Sequence, residues 1–255
     1  MQEVEGMALE LPTLAAFVRR LRIRRGWTQR QLAIEAHLGL GTIRKIEQDA
    51  PVSIGDRALT ALAQALCDNT HERVHLRALA GKSETSTGLG VTAAGLVGRV
   101  LAAFEPSPAA WLYNWRVDQA NDTYRRLFPG LAEAENLPLW VFRDPRARLV
   151  LRDWHREADA VAGMLRHTAT DPHVRTATAG VIKSVETVHE FRRAWESEVV
   201  YIHRPCARRR IWVPRSEQLI HLEETLIPVT AGGLLTLGVV REQAARSGRS
   251  YQEIA

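Results

Sequence analysis

Leu14, Phe17, Val18 and Leu21 recur at intervals of three and four residues, the spacing of one helix face, so a helix is expected over residues 13–25. Arg19, Arg20, Arg22, Arg24 and Arg25 crowd its end, and Gly26 stops it. Thr28, a good N-cap, stands three residues before Gln31 in the capping-box arrangement, and a second helix follows with Leu32 and Ala33 inward. His37, Leu38 and Gly39 make a turn. Ile43 and Ile46 then mark the buried side of a third, short helix. Leu59, Leu62, Ala63 and Leu66 share the face of a fourth, with Ser53 expected to cap it; Leu76 and Leu79 point inward from a fifth, with Thr70 as its expected cap.

The pattern breaks at GKSETSTGLGVTAAG, where glycine, serine and threonine carry no apolar period. Helical spacing resumes with Leu96, Val97, Val100, Leu101 and Phe104. Trp111, Tyr113 and Trp115 alternate as on one face of a strand, and Asn121 opens a helix bearing Tyr124, Leu127 and Phe128. Strand, short turn and Asn-capped helix resemble the start of a PAS-like domain. Pro138, Trp140 and Phe142 lead into a long helical region where Leu151, Trp154, Ala158, Val161 and Leu165 hold one face. Asp171-Pro172 opens another helix, and Phe191 and Trp195 lie four apart on the next. VVYIH, RRIWVP, EQLIHLEETLIPV and GLLTLGVV read as strands, enough for two or three hairpins with helices over one face. The expected fold is α+β: an all-α five-helix domain over 12–80, a linker over 81–95, a PAS-like α+β domain with an antiparallel sheet over 96–241, and a tail over 242–255.

Composition narrows the classes. Apolar residues make up 45% and charged residues 25% of the 255, ordinary values for a soluble globular protein. No run approaches the roughly 20 apolar residues of a bilayer span, and the acidic, then amphipathic start is unlike a secretory signal. Cys67 and Cys206 are too few and too distant for a thiolate metal site or a disulfide framework, so a cytoplasmic, reduced protein is expected. The net charge of +5 permits a polyanionic partner.

HERVH, residues 71–75, fits the H-E-x-x-H zinc hydrolase pattern, in which two histidines share a helix face and the Glu activates water. The extended form of that motif needs a Gly and a His where Ala78 and Gly81 stand, and Glu84 falls in the linker, so no third ligand is well placed. His75 is expected to contact Leu79, and Glu72 with Arg73 to form a solvated face. G-x-S-x-G, P-loop and dinucleotide fingerprints are missing from the sequence, and Asp153 and His155 flank Trp154 without converging. No catalytic set, metal or cofactor is expected, and the chain is read as no enzyme.

Two short helices joined by a tight turn form a helix-turn-helix. Residues 27–48 resemble the XRE-type family, whose T-Q-x-x-L-A and I-x-x-I-E elements stand here as Thr28, Gln29, Leu32, Ala33, Ile43, Ile46 and Glu47. That resemblance implies that Gln29 bonds a DNA phosphate, that Leu40, Gly41, Thr42, Arg44 and Lys45 face the major groove, and that Arg44 pairs with a guanine edge. Glu47 is expected to bond within the domain. The arginines ending the first helix could touch the DNA backbone or lie in solvent.

ERVHLRALAG, FEPSPAAWLYNWRVDQAN, NLPLWVFRDPRAR, LRDWHREADAVAGMLR, the Asp171-Pro172 pair and EFRRAWESEVV follow one another as in the MmyB-like transcription regulators, and the resemblance spans residues 12 to about 240. It departs where the family shows a His-Pro pair: here Arg204 separates His203 from Pro205. The resemblance implies a sequence-specific DNA-binding regulator with an apolar cavity for a fatty-acid-like ligand. Candidate lining residues are Trp111, Tyr113, Trp115, Asn121 and Trp140, with Phe142, Phe191, Trp195 and His203. Each ring buries roughly 150–250 Å², so each also serves as ordinary core, and Asn121 reads first as a helix cap. Arg204 is a candidate anchor. Arg208–Arg210 reads as a solvated hairpin run that could instead meet a carboxylate or phosphate. The expected partners are a palindromic duplex operator, a second copy of the chain and an apolar small molecule, with no membrane. The alternative is a second domain that binds a protein and no small molecule.

Overall fold

The computed structural model describes residues 9–49, 54–82, 94–230 and 232–241. Five helices come first: α1 (Leu14–Arg24), α2 (Gln29–Glu35), α3 (Leu40–Glu47), α4 (Asp56–Leu66) and α5 (Thr70–Leu79). Local chemistry sets their starts. The Ala16 amide donates to the Thr13 hydroxyl at 3.1 Å, and Thr28 and Gln31 exchange both capping-box bonds at 3.2 and 2.7 Å. Gly26 takes φ +68°, the left-handed conformation that ends α1 at no steric cost. The α5 cap is a correction: Asn69, extended and with its side-chain oxygen 2.9 Å from the Glu72 amide, precedes Thr70, which is already helical. Ser53 lies outside the described residues; Gly55 holds the N-cap position of α4. Val18, Leu21, Leu32, Ile43, Leu59 and Leu76 close a core common to all five helices.

The second domain runs α6 (Ala94–Ala103), β1 (Ala109–Tyr113), β2 (Arg116–Ala120), α7 (Asp122–Leu127), α8 (Leu137–Arg143), α9 (Pro145–Val150), α10 (Trp154–Thr168), α11 (Arg175–Val185), α12 (His189–Glu196), β3 (Arg208–Val213), β4 (Gln218–Thr230) and β5 (Gly233–Arg241). The strands form one antiparallel sheet in the order β2-β1-β5-β4-β3, so β5 closes against β1 from the opposite end of the domain. Residues 83–93 of the expected linker and the expected tail over 242–255 lie outside the described residues.

Two strand readings are corrected. On β1 the core-facing residues are Ala110 and Leu112; Trp111 is half-exposed and Tyr113 exposed. Trp115 is in the two-residue β1–β2 turn, where Asn114 and Trp115 take φ 46° and 70°, and this left-handed turn reverses the alternation and sends the indole inward. The apolar run VVYIH forms no strand. Residues 197–204 instead make an irregular strap from α12 along the edge of the first domain, and Val200 belongs to that domain's core.

Candidate DNA-binding face and sensor cavity

α3 is held from within and open on its outer side. Ile43 and Ile46 are buried, and Glu47 receives both arms of Arg22 at 2.6 and 2.9 Å and the Gln29 amide at 2.8 Å. One carboxylate thereby ties α1, the start of α2 and the end of α3 together. Arg44, Lys45 and Gly41 are exposed, and Leu40 and Thr42 half-exposed, on the free face. A Cβ added at Gly41 would meet nothing within 4 Å, so no intramolecular contact requires glycine there. Most arginines at the end of α1 are engaged internally. Arg22 serves Glu47, Arg24 pairs with Glu72 and Asp68, and Arg25 pairs with Asp68, stitching α1 to the α4–α5 junction.

The second domain carries a polar cluster in its apolar interior. Arg209 and Glu224, on facing strands β3 and β4, are 6% and 5% exposed although they stand among Ile211, Ile220 and Leu222 on the core side of the sheet. Arg209 donates to Glu224 at 2.6 Å and lies 3.2 Å from the Glu157 carboxylate of α10, with its guanidinium over the Phe128 ring. Arg204, from the strap, bonds Glu157 and lies 3.8 Å from Glu224. The Thr236 hydroxyl donates to Glu224 at 2.7 Å. Burial opposes the charge on Arg209, but Glu157 and Glu224 outweigh it and hold its pKa up. Burial likewise presses on Glu224, and Arg209 and Arg204 overcome it and hold the carboxyl below its usual range. Arg209 and Glu224 are therefore charged, yet the pairing is incomplete: the Nε of Arg209 faces Glu157 at 3.2 Å outside hydrogen-bond geometry, and the Nε–H of Arg204, 3.8 Å from Glu224, makes no hydrogen bond.

Beside this cluster is a cavity of about 20 Å³. Leu112, Trp115, Leu131, Met164, Leu226 and Leu234 form its apolar wall; Tyr124, Arg204, Arg209 and Glu224 its polar one. Such a volume admits about one water molecule, far below the roughly 300–1,000 Å³ of a ligand-filled pocket.

Of the aromatic and polar residues expected around a ligand, Trp115 reaches this cavity. Trp140 is core, its indole N–H donating to the Pro129 carbonyl at 3.0 Å, and Phe142 and Phe191 meet edge to face at 5.1 Å. Trp195 lies under the Arg166 guanidinium. Asn121 caps α7, accepting from the Tyr124 amide and the Ala109 amide at 3.0 Å each. Trp111 and Tyr113 sit on the outer face of β1, and exposed His203 meets His71 edge to face. Arg204 does reach the cavity. Of the two readings of Arg208–Arg210, solvated run or carboxylate partner, the second holds: Arg208 pairs with Glu223 and Arg210 with Asp153 at the surface, and strand alternation turns Arg209 inward onto Glu224.

The HERVH residues build a joint between the domains. Glu72 is buried, held by Arg24 at 2.5 and 3.0 Å and by the Asp68 amide at 2.9 Å, which overturns its reading as solvated. His75 is fully buried against the edge of Phe17, its Nδ1 3.2 Å from Nδ1 of His167 on α10. Burial, then the His167 charge, depresses the His75 pKa to about 2; burial, then His71, depresses that of His167 to about 4. Both rings are neutral near pH 7, one donating to the other. His71 accepts the Ile202 amide at 3.3 Å and meets the His203 ring at 4.7 Å.

No helix among the described residues is long and apolar enough to cross a membrane. A search of curated proteins finds no match to the chain. A family model of a helix-turn-helix domain matches residues 13–76. The model of the MmyB-like transcription regulator ligand binding domain matches residues 95–247, the region that holds the sheet, the buried cluster and the cavity. With a helix-turn-helix domain ahead of that match and more than half of its length within it, this chain belongs to the MmyB-like transcription regulators.

Proposed function

We propose that this protein is a cytoplasmic transcriptional regulator that binds a palindromic operator as a homodimer and senses an apolar small molecule ending in an oxygen acceptor, a fatty-acid-like ligand. One short recognition helix reads few base pairs, and two-fold pairing doubles the site. Gln29, Leu40, Gly41, Thr42, Arg44 and Lys45 are the proposed DNA contacts, with Arg44 on a guanine edge. The ligand reading is carried by one observation: the buried Nε–H of Arg204, which lines the cavity, has no hydrogen-bond partner, the Glu224 carboxylate being 3.8 Å away. A buried donor left unmet costs about 1–3 kcal/mol, and a ligand oxygen supplies the missing acceptor. The chain of the ligand would part Leu112, Leu131, Met164 and Leu226. The cavity's size of about 20 Å³ favours a second reading, in which this domain recognises a protein and keeps its interior closed.

Native mass spectrometry of the purified chain, before and after mild denaturation, separates these readings. The expected result is a dimer carrying an apolar mass that is released on unfolding. A dimer that stays empty after incubation with hexadecanoate overturns the fatty-acid reading in favour of the protein partner. For the DNA face, Arg44→Ala is expected to weaken operator binding by about 1–3 kcal/mol with the dimer mass unchanged. Full operator affinity in that variant removes Arg44 from the contact set.

A further inference from the structure

The strap at residues 197–204 touches both functional regions within a few residues. At its beginning, Glu198 pairs with Arg20 of α1 at 3.1 Å, and its carbonyl accepts from the same side chain. Val200 is 5% exposed within the core of the DNA-binding domain. Ile202 and His203 rest on His71 of α5. At its end, Arg204 enters the buried cluster and lines the cavity. Arg204 stands four residues beyond Val200, a reach of at most about 14 Å. The middle of the strap is pinned to α10: the Tyr201 amide donates to the Gly163 carbonyl at 3.2 Å, and Arg166 donates to the Val199 carbonyl at 2.8 Å. A Cβ on Gly163 would stand 2.5 Å from the Tyr201 ring, so the glycine permits this close seating. Next to Gly163, Met164 forms part of the cavity wall, and His167 one turn on meets His75.

From this placement we infer that the strap is a transmission element: movement of Arg204 in the cavity is carried through Ile202, His203 and Val200 to α1 and α5, and changes how the DNA-binding domain is held. The inference deepens the sensing function proposed above and rests on it for the trigger. Its physical basis is tight packing. The Arg204 side chain is 7% exposed between Glu157 and Glu224, so a new acceptor that draws it away acts within close packing, on a chain anchored four residues away in another core. The contacts fall on α1 and α5, and the outer face of α3 stays open. The device therefore acts on the orientation of the DNA-binding domain and leaves the recognition residues uncovered. A ligand shifts this arrangement only as far as it favours one position of Arg204 over the other.

Spin labels at two exposed positions, introduced by Arg30→Cys on α2 and Arg156→Cys on α10 with Cys206→Ser to remove the exposed native thiol, report the distance between the domains. With labelled chain diluted in excess unlabelled chain, so that each dimer carries one labelled copy, the otherwise unchanged chain is expected to show one narrow distance distribution. Arg204→Met, which cuts the cavity end of the strap, is expected to raise the displaced population about fivefold or more. Arg204→Lys keeps the charge beside Glu157, guards against misfolding, and is expected to give a smaller change in the same direction. His71→Ala cuts the other end, and combining it with Arg204→Met is expected to add little, because both break one series of contacts. An unaltered distance in folded Arg204→Met and Arg204→Lys overturns the inference. Hexadecanoate binding is measured separately by calorimetry: failure to bind counts against the ligand reading, and the variants still decide the strap. Hexadecanoate that binds and leaves the distance unchanged overturns the strap as the sensing route.

Discussion

Glu47 and Glu224 are both buried carboxylates facing arginine, and they do opposite things. Glu47 receives two N–H groups from Arg22 and one from Gln29, within a compact helical core, and the residues it binds find their acceptors there. It is a lock that fixes α3 against α1. Glu224 belongs to a set of two arginines and two glutamates in which the Nε–H of Arg204 has no hydrogen-bond acceptor and that of Arg209 meets Glu157 only as an ion pair, and that set borders a cavity. Burying an ion pair seldom gains stability over an apolar pair of the same size, because desolvation offsets attraction. A satisfied pair needs only a geometric reason to exist. An unsatisfied one beside an apolar cavity suggests a ligand.

The contrast can be broken most sharply by neutralising each carboxylate. Glu224→Gln leaves Arg204 and Arg209 sharing Glu157 in the interior, and the expected loss is about 3–5 kcal/mol of unfolding free energy. Glu47→Gln, at the margin of its domain with Arg22 partly exposed, is expected to lose about 1–3 kcal/mol. Denaturant unfolding of the two variants checks the order; equal losses would mean that the second cluster is structural like the first.

The joint between the two regions responds to pH. His75 and His167 have depressed pKa values when docked and return toward about 6.5 when released, so the released state binds more protons below that pH. Docking is at full strength above about pH 6.5 and weakens as pH falls toward 4, where His167 itself titrates. The effect approaches about 1.4 kcal/mol per pH unit for each histidine that becomes solvated. The surrounding groups act with it or against it: His71, Arg166 and Arg20 disfavour protonation of the pair, and Asp171 favours it on His167. The spin-label distance, followed from pH 7.5 to 5, is expected to broaden on the acid side; a constant distribution would show that the histidines stay buried when the domains part.

The smallest effect sharpens the other side of the comparison. Gly41→Ala is expected to stabilise the first domain by up to about 1 kcal/mol, since helical glycine costs backbone entropy and the added methyl meets nothing. It is also expected to weaken operator binding, because the added methyl would stand in the space that the proposed DNA contact needs. Thermal melting and a DNA titration of one preparation check both signs, and unchanged operator affinity would place Gly41 off the DNA.

Much of the helical domain was legible from spacing alone. The Leu14–Leu21 stripe, the Thr28 capping box and the pair Ile43 and Ile46 each predict a helix and its inward face from contacts only a few residues apart, and the described helices follow them. The cavity was less legible. Its polar wall joins Tyr124, Arg204, Arg209 and Glu224 from α7, the strap, β3 and β4, and composition draws the eye to the aromatic residues. A signal was nevertheless present: in RRRIWV, Arg209 stands two residues before Ile211, and in LIHLEETL, Glu224 stands two after Leu222, so period-two alternation puts both charges on the core face.

The sequence by itself determined what depends on neighbours in the chain: helix periods, caps, the order of the two domains and the helix-turn-helix, together with the family resemblance. Only the tertiary structure decided what depends on distant segments meeting. The strand-like VVYIH became a strap because its Val200 found burial in the other domain, and HERVH became an interdomain joint because His167 lay opposite His75. Apolar period specifies that a side chain is buried; which surface buries it is settled only when the two domains come together.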